Sequence, residues 1–144
     1  MVSFLVFSEF YAYRLKDEDV VVVNGIITNC VYDISTKGNV IEIPEILDNQ
    51  TVTGIGDYAF SVAGKIAILT LPKTLKTIGN GVFEGHALSS LVIPDGVTSI
   101  GNRAFYGNAL SNINLPAGLQ SIADETFANN QLNSITLPDG LKYI

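Results

Sequence analysis

A 22-residue repeat organises this chain from Thr70 onward. Prolines recur at positions 72, 94, 116 and 138, and three phenylalanines keep the same spacing (Phe83, Phe105 and Phe127). A fixed period in this range is typical of a solenoid, in which each repeat forms one turn and the turns stack. One turn alone buries too little apolar surface to offset its loss of chain entropy, so the repeats must share one continuous core.

The apolar residues within each repeat follow one pattern, at 3, 6, 11, 16, 19 and 21 residues after the proline. The last three form L-x-x-L-x-L, as in residues 88–93, which is the core of a leucine-rich repeat. Alternation along that segment directs two side chains inward and the residues between them outward. We therefore predict a leucine-rich-repeat solenoid that is mainly β, with parallel stacked strands. The phenylalanine column, extended by Phe60, is predicted to form its spine.

The segments between the strands contain residues that are typical of turns. Each proline should end a strand because it has no N–H to donate, and the Asp-Gly or Ala-Gly pair that follows should form a turn. The Gly-Asn pairs are predicted to turn the chain before the phenylalanine segments. Those segments are short enough for one turn of α-helix or 3₁₀-helix. They comprise residues 81–85, 103–107 and 125–129.

Residues 1–37 do not follow the repeat, and we predict that they form a β-rich N-terminal cap. A strand over residues 10–15 and a hairpin around Asn24-Gly25 would build this cap, with Tyr11, Tyr13 and Tyr32 available to lie on the first turn. The repeats then occupy residues 38–144, in about four and a half turns.

Two polar segments interrupt this regular pattern. The acidic run Asp17-Glu18-Asp19 lacks the spacing of a calcium loop, so it is predicted to be a solvated hairpin tip. Residues 45–51 contain a five-residue insertion, which is predicted to be a loop. The insertion includes the sequon Asn49-Gln50-Thr51, whose match to a glycosylation signal we interpret as coincidental.

Two stretches resemble the BspA-like, or treponemal-type, leucine-rich repeat family. They are Ile93-Pro-Asp-Gly-Val-Thr-Ser-Ile-Gly-Asn-Arg-Ala-Phe105 and Val52-Thr-Gly-Ile-Gly-Asp-Tyr-Ala-Phe60. The resemblance runs from Gly38 to Ile144. It implies a parallel-stranded solenoid, mostly found on secreted or surface proteins of bacteria and used for adhesion or protein binding.

The chain departs from the family pattern in two ways. Family members commonly carry Cys or Asn three residues after the phenylalanine, where this chain has Ala63, His86, Asn108 and Asn130. The commoner family repeat is also one residue longer, and only the step from Phe60 to Phe83 keeps that length.

Charge and hydropathy narrow the classes of partner. The net charge is −6, with eight acids and three bases in residues 1–50. No basic stripe exists, so we expect no nucleic-acid binding. No run approaches the ~18 apolar residues of a membrane-spanning helix, so we expect no membrane insertion. Cys30 is the sole cysteine, which excludes an internal disulfide, and we predict that it is buried.

No signal peptide is evident in this chain. The apolar opening (residues 1–7) lacks an early Lys or Arg, because the first base is Arg14. The family resemblance nevertheless implies a cell-surface or secreted location. If that is correct, we expect that the signal was removed or lies outside this sequence.

The sequence contains few residues that could form a catalytic site or a metal site. His86 is the only histidine, and its column is otherwise occupied by Asn108 and Asn130, so we predict that it hydrogen-bonds the backbone in an asparagine-type ladder. One His and one distant Cys do not make a metal site, and the glycines follow the repeat rather than a phosphate loop. Glu84, Asp124 and Glu125 are interpreted as solvated surface. We expect no enzymatic activity, no cofactor and no metal.

The outward residues of the L-x-x-L-x-L segments form the candidate partner-binding face, which we call the strand strip. Its members are Thr70, Ser90, Val92, Asn112, Asn114, Ser134 and Thr136. Stacking would place successive residues about 4.8 Å apart on a flat, uncharged surface, and solenoids use such extended faces to bind partners. The rival outward face comprises Lys76-Thr77, Thr98-Ser99, Gln120-Ser121 and Lys142-Tyr143.

Two functions remain open. The first is a non-catalytic protein-binding domain of a bacterial surface or secreted adhesin-like protein, with a protein or glycoprotein as partner. The alternative is a rigid structural spacer in a longer multidomain protein, with no ligand of its own. The apolar positions of the last turn carry no polar substitution. We therefore expect a longer array beyond Ile144 or, less favoured, self-association through this uncapped C-terminal end.

Overall fold

The structure is a computed structural model and describes residues 12–144. Short strands joined by turns account for most of its regular structure. The strands are β1 (Tyr13–Arg14), β2 (Val20–Val23), β3 (Ile26–Cys30), β4 (Val40–Glu42), β5 (Ile46–Leu47), β6 (Gln50–Thr51), β7 (Gly54–Ile55), β8 (Ile68–Thr70), β9 (Thr77–Ile78) and β10 (Ser99–Ile100). The helices of the described chain are a 3₁₀-helix (Asp17–Asp19) and α1 (Ile34–Lys37).

The strands form two parallel sheets in which equivalent residues of successive repeats are direct neighbours. The first sheet has the order β1-β4-β8 and the second the order β10-β9-β7-β3-β2, in which the β2-β3 hairpin is antiparallel; β5 and β6 form a separate two-stranded antiparallel sheet. Ile55 lies opposite Ile78, and Ile78 lies opposite Ile100. The prediction of a mainly β fold with parallel strands is therefore confirmed.

The phenylalanine column runs through the centre of the molecule, as predicted. Phe60, Phe83 and Phe105 are fully buried. Adjacent ring centroids are 5.1 Å apart between Phe60 and Phe83, and 5.6 Å apart at each of the next two steps, to Phe105 and Phe127. Rings at this distance make favourable contact in addition to the area they bury.

The proline turns form as the sequence predicts. At the four prolines of the 22-residue period, the amide N–H of the third residue after the proline donates to the proline carbonyl, for example at 3.1 Å from Leu75 to Pro72 and 3.0 Å from Val97 to Pro94. The turn reverses the chain after each strand, so that the next apolar residue re-enters the core.

The phenylalanine segments do not form the predicted α- or 3₁₀-helix. Each begins and ends with a residue at positive φ, such as Arg103 (56°) and Gly107 (66°). This geometry points alternate N–H groups at the neighbouring turn, so that Phe83 donates to the carbonyl of Ala104 at 2.9 Å. A helix would direct the same groups along its own axis, and the helical prediction is therefore wrong here.

The N-terminal region contains the predicted hairpin and two helices that were not predicted, the 3₁₀-helix and α1. Asn24 and Gly25 connect β2 to β3 with φ values of 52° and 76°, which is the geometry of a type I′ turn. Of the strand predicted over residues 10–15, the structure has β1. Tyr11 and the residues before it lie outside the described chain. Helix α1 begins after Asp33, whose side chain caps it by accepting a hydrogen bond from the Ser35 N–H.

Asp19 corrects the prediction of a solvated acidic tip, because its side chain is buried. It pairs with Lys37 and accepts hydrogen bonds from the Tyr13 hydroxyl (3.0 Å) and the Lys16 amide (2.9 Å). Burial by itself would raise the pKa of Asp19, but the bonds from Lys37, Lys16 and Tyr13 together hold the pKa below its usual value. Asp17 and Glu18 remain exposed as predicted.

The insertion at residues 45–51 is a small hairpin rather than an irregular loop. β5 pairs antiparallel with β6 across Asp48 and Asn49, whose φ values are 50° and 55°. Leu47 points into the core and is 2% exposed. Within residues 12–144 no helix has the length and apolar character needed to cross a bilayer.

Candidate partner-binding face

The seven residues of the strand strip are all exposed to solvent. Parallel bridges join Val92 to Asn114 and Asn114 to Thr136, so these three residues form one column across successive turns. Ser90, Asn112 and Ser134 each lie two residues earlier in the chain on the same turns. Within the described chain, no bridge connects Val92 to Thr70, the last residue of β8.

The polar side chains of the strand strip are available to a ligand. Among residues 12–144 they make no hydrogen bond, in contrast to Asn108 and Asn130, whose amides are fully engaged. Val92 is 80% exposed and gives the strip an apolar centre. The surface therefore offers hydroxyls, amides and one apolar contact point without any charge.

A groove of about 660 Å³ lies along the strip. It is bordered by Thr70, Val92 and Asn114, and core side chains such as Leu71 and Leu91 form its floor. Both of these leucines are 7% exposed, so a small part of the hydrophobic core is accessible to solvent at the groove. The groove lies where β8 and residues 91–93 are not paired.

A ladder of buried side chains supports the turns behind this face. Asn108 accepts a hydrogen bond from the Leu88 N–H at 3.0 Å and donates to the carbonyls of Phe83 (2.8 Å) and Phe105 (3.0 Å). Asn130 repeats the arrangement one turn later, accepting from the Leu110 N–H at 3.0 Å. The predicted asparagine ladder is confirmed.

His86 occupies the same ladder but fits it less well. Its Nδ1 accepts from the Ile66 N–H at 3.2 Å, which assigns the ring proton to Nε2. Nε2 is buried and has no hydrogen-bond partner within residues 12–144. Burial lowers the pKa of His86, so the ring is neutral at physiological pH. His86 is therefore a structural residue whose second nitrogen is unsatisfied.

A second ladder, which was not predicted from the sequence, runs along the Gly-Asn corners. Asp57 accepts from the Asn80 N–H (2.8 Å), Asn80 from the Asn102 N–H (2.8 Å), and Asn102 from the Asp124 N–H (3.1 Å). The signal was an Asp or Asn at the same register of each repeat. It could have been found by asking what a short polar side chain does after a glycine.

Two acids expected to be solvated surface belong to an ion network across three turns. Arg103 pairs with Glu84 (2.6 Å) and with Glu125, and its guanidinium lies 3.7 Å from the centre of the Tyr106 ring. The hydrogen bond from Arg103 lowers the pKa of Glu84. This network lies on the phenylalanine segments and not on the strand strip.

Cys30 is buried, as the sequence predicts, and burial raises the pKa of its thiol to about 11. A thiol with this pKa stays protonated at neutral pH and is a poor nucleophile. Within residues 12–144 no three His, Cys, Asp or Glu side chains converge as a metal site would require.

The chain is similar to known leucine-rich repeats. A family model described as the BspA type leucine-rich repeat region, in six copies, matches residues 26–144, whereas the repeats were predicted to begin at residue 38. The crystal structure of a T. pallidum leucine-rich repeat protein is 23% identical, with a TM-score of 0.52 over 82% of this chain and 77% of that chain. At this identity the likeness shows the fold alone. No curated protein matches significantly.

Proposed function

This chain belongs to the BspA-type leucine-rich repeat family, and we propose that it is a non-catalytic domain that binds a protein or glycoprotein through the strand strip. The observation that carries the proposal is the contrast between the strip and the rest of the polar residues. The side chains of the ladders are bonded within the fold, whereas those of the strip are exposed and make no bond among residues 12–144. Exposed polar groups around an apolar point such as Val92 are suited to a specific contact.

The setting we propose is a surface or secreted adhesin-like protein of a bacterium, with the turns stacked as a solenoid. The support is the resemblance of the repeats to the BspA type. Stacked turns present an extended face to a partner without rearranging on binding.

The test is retention of partner proteins by the immobilised domain. We expect that Asn112→Lys, Asn114→Lys, Ser134→Lys and Thr136→Lys together abolish capture of a host or matrix protein that the unmodified domain retains. Thr98→Lys with Gln120→Lys, on the rival face, is the matched control and should retain the partner. Unchanged capture by the four-residue variant would eliminate the strand strip as the binding face.

The second candidate is a rigid spacer. The observation that favours it is the pair of side-chain ladders and the phenylalanine column, which connect every turn from Asp57 to Asn130. A spacer should retain no partner in the same experiment, at any concentration at which the domain stays folded. Reproducible capture of one protein by the unmodified domain would exclude a purely structural role.

Self-association is a further interaction that we propose for the last turns. Ile135 and Leu137 are 38% and 42% exposed, and Ile144 is 83% exposed. Light scattering after size exclusion should show a dimer that Ile135→Lys with Leu137→Lys converts to monomer. A monomer at every concentration of the unmodified chain would contradict this.

The role proposed for residues 1–37 remains that of an N-terminal cap. Its support is that β1 and β3 each add the first strand to one parallel column, while β2 covers the outer edge of β3. An edge covered by a hairpin is protected from pairing with another chain. Deletion of residues 1–37 should cause aggregation, and a soluble, folded product would contradict the proposed cap.

A further inference from the structure

The groove on the strand strip is part of a longer channel. A second groove shares Thr70, Leu71 and Lys73 with it, and a third shares Asn114. The three together cross the turns from Glu42 to Thr136. At ~4.8 Å per turn this is about 19 Å, the length of about six extended residues.

The floor of the channel is open because the sheet is interrupted. β4 pairs with β8 over three residues, but no backbone pairing joins residues 69–71 to residues 91–93 in the described chain. The core side chains of both segments therefore line the groove together with the exposed Val92. An apolar side chain from a ligand could pack here without displacing any bonded polar group.

The rim of the channel is acidic. It consists of the residue that follows each proline, and these residues are Glu45, Lys73, Asp95, Ala117 and Asp139. The four charged ones are exposed and make no ion pair within residues 12–144. Three carboxylates and one ammonium group therefore border the uncharged strip, and at one end of the channel Arg14 and Glu42 neutralise each other as an ion pair. The charge complementary to this rim is positive.

We propose that the channel binds an extended, basic peptide segment of about six residues, with apolar side chains against Val92 and basic side chains facing Asp95 and Asp139. This rests on the proposed protein-binding function and specifies the chemistry of the partner. Asp95 and Asp139 belong to turns two repeats apart, which stacking places about 10 Å from each other. Basic residues three positions apart in an extended segment span that distance.

The experiment is an NMR titration of the ¹⁵N-labelled chain with three blocked heptapeptides. The probe is Thr-Lys-Val-Thr-Lys-Val-Thr, whose two Lys are three positions apart; one comparison peptide has Glu for both Lys, and the other has Ser for both Val. We expect the probe to shift the amide signals of Val92, Asp95 and Asn114, and added salt to weaken its binding. Both comparison peptides should bind at least about fivefold more weakly.

Variants locate the interaction. Asp95→Asn with Asp139→Asn should weaken binding of the basic peptide by about fivefold, since two exposed charge pairs are lost. Val92→Lys should weaken it by at least about tenfold, because the apolar contact is replaced by a like charge. Asp124→Asn, an exposed acid away from the channel, is the matched control and should change nothing.

Three results would overturn the proposal: equal affinity for the basic and acidic peptides, shifts confined to residues outside the channel, or no shift with any peptide at millimolar concentration. Failure here is distinguishable from failure of the proposed function. If the domain captures a protein through Asn112 and Thr136 while the peptides leave Val92 unshifted, the function stands and the channel proposal falls. If the basic peptide binds but no protein is retained, the channel proposal stands and the proposed function falls.

Discussion

The phenylalanine segments and the strand strip lie in the same repeats but are held together differently. Between one pair of neighbouring turns, the phenylalanine segments share three backbone hydrogen bonds, from Gly81, Phe83 and Gly85 to the next turn. On the strand side, residues 69–71 and 91–93 share none within the described chain. The ladder of Asn108 and Asn130 donates to the carbonyls of the phenylalanine segments and accepts from Leu88 and Leu110, where the strand segments begin, but it does not reach residues 69–71 or 91–93.

This difference in hydrogen bonding between the two sides indicates which side stabilises the fold and which side is available for binding. Buried backbone groups need partners wherever water is excluded, and the phenylalanine segments supply them from turn to turn. The strand side can then remain partly unpaired without unfolding the chain. We infer that one side carries the stability and the other is free to contact a ligand, and four predictions test this division.

The largest effect is expected from Phe105→Ala. Phe105 is fully buried between Phe83 and Phe127, and its truncation should lower the free energy of unfolding by about 3–5 kcal/mol. Val92→Ala on the strand side should change it by less than about 0.5 kcal/mol. Urea unfolding followed by circular dichroism measures both. Equal losses in the free energy of unfolding at Phe105 and Val92 would contradict the proposed division between a stabilising side and a binding side.

The next largest loss of stability is expected from Asn108→Leu. It leaves the Leu88 N–H and the Phe83 carbonyl without their side-chain partner, whereas the Phe105 carbonyl keeps its bond from Asn130, so we expect a loss of about 2–4 kcal/mol in the free energy of unfolding. Asn112→Leu, at an exposed position of the strip, is the control and should be nearly neutral. A tolerated change at Asn108 would mean that the ladder contributes little.

His86→Asn should stabilise the protein by about 1 kcal/mol, because an amide can satisfy the groups that the unpaired Nε2 does not. The effect should grow in acid. Burial lowers the pKa of folded His86 from 6.5, so its contribution to stability is complete above pH 6.5 and is lost as the pH falls from there towards the folded pKa.

Thermal unfolding of the unmodified chain and of His86→Asn between pH 7.5 and 5 provides the measurement. The unmodified chain should lose stability over this window more steeply than the variant. Parallel profiles would show that His86 does not titrate during unfolding.

The smallest effect is expected from Asn114→Lys with Thr136→Lys on the strand strip. Both side chains are exposed and make no hydrogen bond among residues 12–144, so the free energy of unfolding should change by less than about 0.5 kcal/mol. Chemical unfolding under the conditions used for Phe105→Ala gives a direct comparison. A loss as large as that of Asn108→Leu would show that the strip also holds the turns together.

The sequence predicted the elements that obey the period and missed those that depend on distant contacts. Phe60 to Phe127, the proline turns and the asparagine ladder follow from register alone, because residues one repeat apart occupy equivalent positions. The helical prediction for residues 103–107 failed because short length does not specify backbone direction; the positive φ of Arg103 serves a bond to the next turn.

The N-terminal region shows the same limit. Asp19 looks like part of a charged tip, and its burial depends on Lys37, which is 18 residues away. The seven residues of the strand strip were placed correctly on an exposed surface, but the acidic rim at Asp95 and Asp139 was not anticipated. Its signal, an exposed residue after each proline, gains meaning only once the groove beside it is known.

The sequence by itself determined that the turns stack and which residues lie above one another, because a constant period leaves one register in which every apolar side chain meets its equivalent. Only the tertiary structure decided where neighbouring turns pair closely and where they open. Pairing depends on backbone direction and on contacts between residues far apart in the chain, and neither is periodic. The open strand side, and with it the proposed binding channel, is a property of the folded protein.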